Sequence, residues 1–230
     1  SEAAAAFAAL RRGAPLAAAA ADGFHSFLMM FFGRLDAERG WTKQLHLGAW
    51  RNASRLRLEQ LGPDTGFDSI GDTPQIAALS RYLDRLEQED ALPRMILYNA
   101  NPAENYAFAT LAGSFSDAHG GKVQFGSGWW YLDQKEAMEW QLNALAHCGL
   151  LSRFVGMVTD SRSFMSYPRH EYFRRVLCQL LGAAMEAGEL PADDALAGAL
   201  VENICYRNAA EFLRLPGVAL PAAACAEAAS

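Results

Sequence analysis

Short apolar stretches alternate with long amphipathic ones along most of this chain, and that alternation restricts the fold more than any other feature. TKQLHLGA (42–49), PRMILYN (93–99), KVQFGSG (122–128) and RFVGMVT (153–159) each read as a strand. Helical patterns follow: from Pro74 to about Gln88, from Asn101-Pro102 to about Leu111, LDQKEAMEWQLNALAHCG with Asp133 as N-cap, and YPRHEYFRRVLCQLLGAAMEAG stopping at Gly188. An earlier helix carries Phe24, Phe27, Leu28, Phe31, Phe32 and Leu35 at i, i+3, i+4 spacing and ends at Gly40. A last one, PADDALAGALVENICYRNAAEFL, is entered through a proline. Strands that are apolar almost throughout are those covered on both faces. The chain therefore reads as α/β, either an open doubly wound sheet or part of a (βα)8 barrel. There is no GxGxxG after a strand and no GxxxxGK[ST], so no nucleotide cradle is expected.

Residues 1–21 are alanine-rich and broken by Gly13 and Pro15, which predicts a short helix, a turn and the start of another helix. Residues 22–215 form the strand–helix domain and 216–230 a tail. The segment WRNASRLRLEQLGPDTGFDSIGD (50–72) holds Gly62, Pro63, Gly66 and Gly71 and reads mostly as loop. A loop of about twenty residues inside a compact domain is more often functional than not.

The net charge of −6 argues against nucleic acid, since no basic excess is available to neutralise phosphates. It also gives no reason to expect an anionic membrane surface. No apolar run reaches the ~18 residues of a membrane span, and no signal peptide is evident. Cys148, Cys178, Cys205 and Cys225 form no CxxC pair and read as buried free thiols of a cytoplasmic protein.

In a parallel α/β barrel the functional groups stand at the C-terminal strand ends and in the loops beyond them. Those positions carry His46, Arg51 and Asn52; then Tyr98 and Asn99; then Gly128, Trp129 and Trp130; then Asp160, Ser161 and Arg162. An imidazole, an aromatic wall, a carboxylate and guanidinium groups would suit an acidic sugar, because arginine forks match carboxylates. Each has a plainer reading. A strand histidine is commonly a hydrogen-bonded core residue. Asp160 and Arg162 could pair with each other, and adjacent Trp129 and Trp130 on an extended segment cannot both face inward. His25, His147 and His170 fall in helices, and His119 beside two glycines reads as a turn residue. His170-Glu171 is not an HExxH motif, because Arg174 occupies the second histidine position.

QLHLGAWRN, LGPDTGFDSIGD, FGSGWWYLDQ, VGMVTDSRSFMSYPRHEYFRR and VENICYRNAAEF together closely resemble the C-terminal half of bacterial uronate (glucuronate) isomerases, members of the amidohydrolase superfamily. The resemblance spans about residues 20–213. It implies the C-terminal half of a (βα)8 TIM-type barrel, with about four parallel strands and closing helices. It also implies aldose–ketose isomerisation of hexuronates: D-glucuronate to D-fructuronate and D-galacturonate to D-tagaturonate, by proton transfer between C2 and C1. A divalent metal, zinc before manganese or iron, would assist. By the same resemblance Asp160 is a metal ligand and proton-transferring base, and Arg162 contacts substrate. His46 lines the site near the metal as a catalytic residue and second candidate metal ligand, Trp129 is an active-site tryptophan, and Arg51 would hold the uronate carboxylate.

The superfamily's His-x-His pair is absent, since no two of the five histidines are two apart. A half barrel with two exposed edges is expected to seek the N-terminal barrel half or a second copy of itself. The alternatives are a metal-dependent hydrolase of the same superfamily and a non-catalytic truncated barrel.

Overall fold

The computed structural model describes residues 2–117, 121–159, 161, 163–215 and 217; the candidates Asp160 and Arg162, and also His119 and Cys225, lie outside the described residues. In chain order the elements are α1 (Glu2–Arg11), α2 (Ala18–Glu38), β1 (Lys43–Leu47), β2 (Ala49–Trp50), α3 (Arg55–Leu61), β3 (Ser69–Ile70), α4 (Ile76–Gln88), β4 (Met95–Asn99), α5 (Asn105–Ser114), β5 (Val123–Phe125), α6 (Lys135–Cys148), α7 (Pro168–Glu186), α8 (Asp194–Glu202) and α9 (Asn208–Leu213). They divide into two compact units, residues 1–43 with 77–94, and residues 44–76 with 95–230.

The first unit is helical. α4 buries Leu79, Leu83 and Leu86, which recur at i, i+4, i+7 on one face. Arg34 of α2 pairs with Glu89, Nε to Oε2 at 2.7 Å, and Arg85 reaches the other oxygen of Glu89, also at 2.7 Å. The predicted short helix, turn and second helix at the N-terminus are α1, the turn after it and α2.

The second unit is built on a three-stranded sheet in the order β1-β4-β5. β4 and β5 are parallel, with Met95 opposite Val123 and Leu97 opposite Phe125. The Lys43 amide donates to Arg94 O and the Ala100 amide to Leu47 O, so the register of β1 and β4 rises together, as in a parallel pair. All five β4 residues are buried: Met95, Ile96, Leu97 and Tyr98 form an apolar run, and Asn99 closes it as a hydrogen-bonded amide. Phe108 of α5 lies against Phe125, and Phe154 against Phe173 of α7, with ring centroids 5.9 and 6.3 Å apart. The unit is α/β with a parallel sheet, and among the described residues the barrel does not close.

The fourth predicted strand differs. Residues 151–153 form a turn of 3-10 helix, and the chain from Phe154 is extended but joins no ladder among the described residues. The reason lies in the C-terminal helices. Asn208 Nδ2 donates to both Ser152 O and Phe154 O at 2.8 Å, satisfying carbonyls that a neighbouring strand would otherwise take. Gly156 sits at φ +70, and a Cβ there would run into the Ile204 carbonyl. Ile204 belongs to a π-helical stretch, Asn203–Arg207, that joins α8 to α9. Such bulges accommodate local insertions that a regular helix would not.

Three smaller corrections follow from side-chain chemistry. The predicted loop 50–72 contains helix α3, capped by Ser54, and an antiparallel β2–β3 arch pairing Ala49 with Ile70. The cap of α6 is Gln134, whose side chain accepts from the Glu136 and Ala137 amides, and not Asp133, which is engaged in an ion pair. Of the described cysteines, all free, Cys178 is exposed while Cys148 and Cys205 are half-buried. Among the described residues no helix is long and apolar enough to cross a membrane.

Candidate functional site

Because β1, β4 and β5 run parallel, their C-terminal ends come together, and an aromatic cluster forms there. On β1, side chains two apart share a face, which puts Gln44 and His46 together. Tyr98 of β4 lies under both. Its hydroxyl donates to Gln44 Oε1 at 2.8 Å, and its ring stacks on His46 with centroids 4.6 Å apart and planes 12° from parallel. Trp129, just beyond β5, meets the same imidazole edge to face, also at 4.6 Å, with an angle of 76°. Tyr98 is buried, whereas His46 remains exposed to solvent. The Tyr98 ring fits because position 126 is glycine: a Cβ there would lie 2.6 Å from a ring carbon.

Both neighbouring indoles join this cluster, contrary to the expectation for an extended segment. Trp130 has φ 59, a left-handed turn that begins a 3-10 turn over Trp130–Leu132. The turn stacks Trp130 on Trp129 at 5.5 Å, and Tyr131 follows at 4.4 Å from Trp130. Neither indole is fully buried. Trp129 Nε1, however, is buried without a hydrogen-bond partner among the described residues.

Arg51 reaches the cluster from the β2–β3 arch. Its guanidinium lies 5.1 Å from the Trp130 ring centroid and donates to Asp68 Oδ2 at 2.8 Å. Asp68 also accepts the Asn52 amide at 2.8 Å, and its own carbonyl receives the Tyr131 hydroxyl at 2.7 Å. The Asn52 amide first, and the Arg51 guanidinium second, hold the Asp68 carboxyl below the usual carboxylate range. Arg51 is thus fixed in direction yet still half exposed, a cation set to meet an anion.

Two groups of residues that single positions in the sequence did not reveal support these loops. Asn99, Asn101 and Asn105 form a polar knot past β4. Asn99 Nδ2 donates to Asn101 O and to Asn105 Oδ1, and Asn101 Nδ2 donates to Gly71 O at 3.1 Å, tying the arch to the sheet. Repeated asparagines in NANPAEN were the available signal, because buried amides need such partners. The second group is Arg169 with Asp133. Arg169 pairs with Asp133 through one terminal nitrogen, and the other donates to Thr159 O at 3.0 Å and Ser161 Oγ at 3.2 Å. Burial raises the Asp133 carboxyl above its ordinary value, and the attraction of Arg169 opposes that only in part. An arginine in the first turn of a helix, where the dipole disfavours it, was the signal here.

The structure therefore brings together His46, Trp129 and Arg51. Asp160 and Arg162 lie outside the described residues. Among the described residues no group of three or more histidine, cysteine, aspartate or glutamate side chains could hold a metal ion. His46 is the one sequence-predicted metal ligand that is described, short of the three protein ligands usual at a catalytic zinc. The helical histidines His25, His147 and His170 are all exposed.

The family described as glucuronate isomerase matches residues 1–213. A uronate isomerase of Opitutus terrae is 64% identical over 215 residues, covering 93% of this chain and 46% of that protein. One from Solibacter usitatus is 64% identical over 193 residues, covering 84% of this chain and 41% of that protein. The crystal structure of uronate isomerase from Thermotoga maritima superposes with a TM-score of 0.82 at 32% identity, over 92% of this chain and 45% of that one. Glucuronate isomerase from Caulobacter crescentus gives 0.80 at 26% identity, over 95% and 44%. The chain spans about half the length of the curated relatives it matches. Matched by the family model over nearly its whole length, the chain belongs to the glucuronate isomerase family.

Proposed function

We propose that this chain forms the C-terminal part of the active site of a hexuronate isomerase, interconverting D-glucuronate with D-fructuronate and D-galacturonate with D-tagaturonate. The observation that carries the proposal is the convergence of His46, Trp129 and Arg51, from three separate segments, on one exposed rim. The Trp129 indole offers a face for sugar C–H groups and an unpartnered buried N–H for a hydroxyl. Arg51, held by Asp68 and Trp130, takes the uronate carboxylate. His46 presents its imidazole toward the sugar oxygens. Asp160 is the proposed base: its carboxylate takes the proton from C2 and returns it to C1, while the O2 hydroxyl proton passes to O1 and the electrons shift through the enediol, so no external oxidant is needed. Arg162 is proposed to stabilise the developing oxyanion.

A divalent metal, zinc first, would polarise the substrate carbonyl when bound, with His46 and Asp160 as candidate ligands and the remainder supplied from outside this chain. The proposed partner is accordingly an N-terminal barrel half, seated on the sheet edges that pair with no further strand among the described residues. A cytoplasmic location suits the free thiols.

The test is complementation. The chain is mixed with the N-terminal half of the Opitutus terrae relative and zinc, and ketose formation from D-glucuronate is followed. Turnover in the mixture is expected. A stable complex with no turnover on either uronate overturns the proposal.

A further inference from the structure

We propose that Arg169 is a positioning residue for this reaction: it ties Thr159 and Ser161 to the loop that carries Trp129 and Trp130. The inference rests on the isomerase reading above, but its structural part can be tested separately. Arg169 stands in the first turn of α7, where the helix dipole disfavours a cation. Its placement is explained by what it holds. One terminal nitrogen meets the half-buried Asp133, at the end of the WWYL turn. The other donates to the Thr159 carbonyl and the Ser161 hydroxyl, the residues on either side of Asp160 in the sequence. One planar fork thus joins two loops that follow different strand segments, and each of those loops contributes a candidate functional residue. A lysine presents a single point charge and cannot hold both loops in the same geometry. Asp133 gives up the helix-capping role that Gln134 takes over, which leaves its carboxylate free for this pair.

The test uses the full chain with Arg169→Ala and Arg169→Lys. Hydrogen exchange is followed by mass spectrometry over 154–166 and 126–134, with α5 as the internal reference. Arg169→Ala is expected to speed exchange several-fold in both loops and leave α5 unchanged; Arg169→Lys falls between. In the complemented enzyme, a misplacement of about 1 Å lowers kcat by about 10²-fold. KM changes far less, and added guanidinium partly restores Arg169→Ala. Unchanged exchange in both loops overturns the clamp, as does an equal rise in α5, which marks general destabilisation. Faster loop exchange together with unchanged kcat overturns the catalytic role. If the unsubstituted complemented enzyme shows no turnover, the isomerase reading has failed, and the exchange data still decide whether the clamp exists. If Arg169→Ala does not fold, Arg169→Lys carries the same comparisons.

Discussion

His46 and Trp129 meet edge to face with ring centroids 4.6 Å apart, although one stands on the first strand of the sheet and the other follows its last. Tyr98, on the strand between them, stacks on the same imidazole with planes 12° from parallel. The strand order places all three at one end of the sheet, and Gly126 supplies the space that Tyr98 occupies. Enlarging that glycine should therefore disturb the site from below. Gly126→Ala is expected to push the Tyr98 ring off His46. The measurement is the His46 ring-proton shift by NMR, which should lose the upfield displacement caused by ring stacking, while the far-ultraviolet dichroism is retained.

Gly156 makes a second prediction. Its backbone is left-handed, and the Ile204 carbonyl occupies the place of a Cβ. Gly156→Ala meets both difficulties together, so a loss of about 1–3 kcal/mol is expected. Urea denaturation should show a lower midpoint with an unchanged slope.

Acid sensitivity has a definite sign in the helical unit. Glu89 is pulled from 4.5 down to about 2, first by its hydrogen bond to Arg34; burial opposes this, and the hydrogen bond to Arg85 adds a smaller lowering. A depressed carboxyl means that the unfolded chain binds more protons on the acid side, so stability falls as pH is lowered. The contribution of Glu89 is complete above 4.5 and disappears between 4.5 and about 2. Thermal melts across that window should show a shallower acid limb in Glu89→Gln than in the parent.

Metal binding offers a fourth prediction. His46 and Asp160 fall short of a catalytic zinc's three protein ligands, so the isolated chain should bind zinc weakly and fail to isomerise glucuronate in excess metal. Calorimetric titration and the isomerase assay check this together. A tight one-to-one isotherm from the chain alone would mean that further ligands lie within it.

Much of the site could be read from the sequence because residue type and period carried the information. The alternation in QLHLG put His46 and Gln44 on one side of a strand, and the apolar run MILY pointed to a covered strand. Long motifs around His46, Trp129 and Asp160 pointed to the family directly. The fourth segment, RFVGMVT, has the composition of a strand, but Asn208, far along the chain, takes the Phe154 carbonyl and that of Ser152 just before the segment. Asp133 was misjudged for a similar reason: a local capping preference lost to an ion pair with Arg169 on another helix.

The sequence by itself determined strands β1, β4 and β5 and most of the long helices, because burial period and punctuation are properties of neighbouring residues. It also determined the family, through motifs of fixed spacing. Only the tertiary structure decided which side chains meet. Trp130 turns back to stack on Trp129 and beneath Arg51, and Asp68 aims that arginine. Arg169 binds two loops that are distant in the chain. Contacts of this kind depend on strand order and on the direction of individual bonds, which no local pattern encodes.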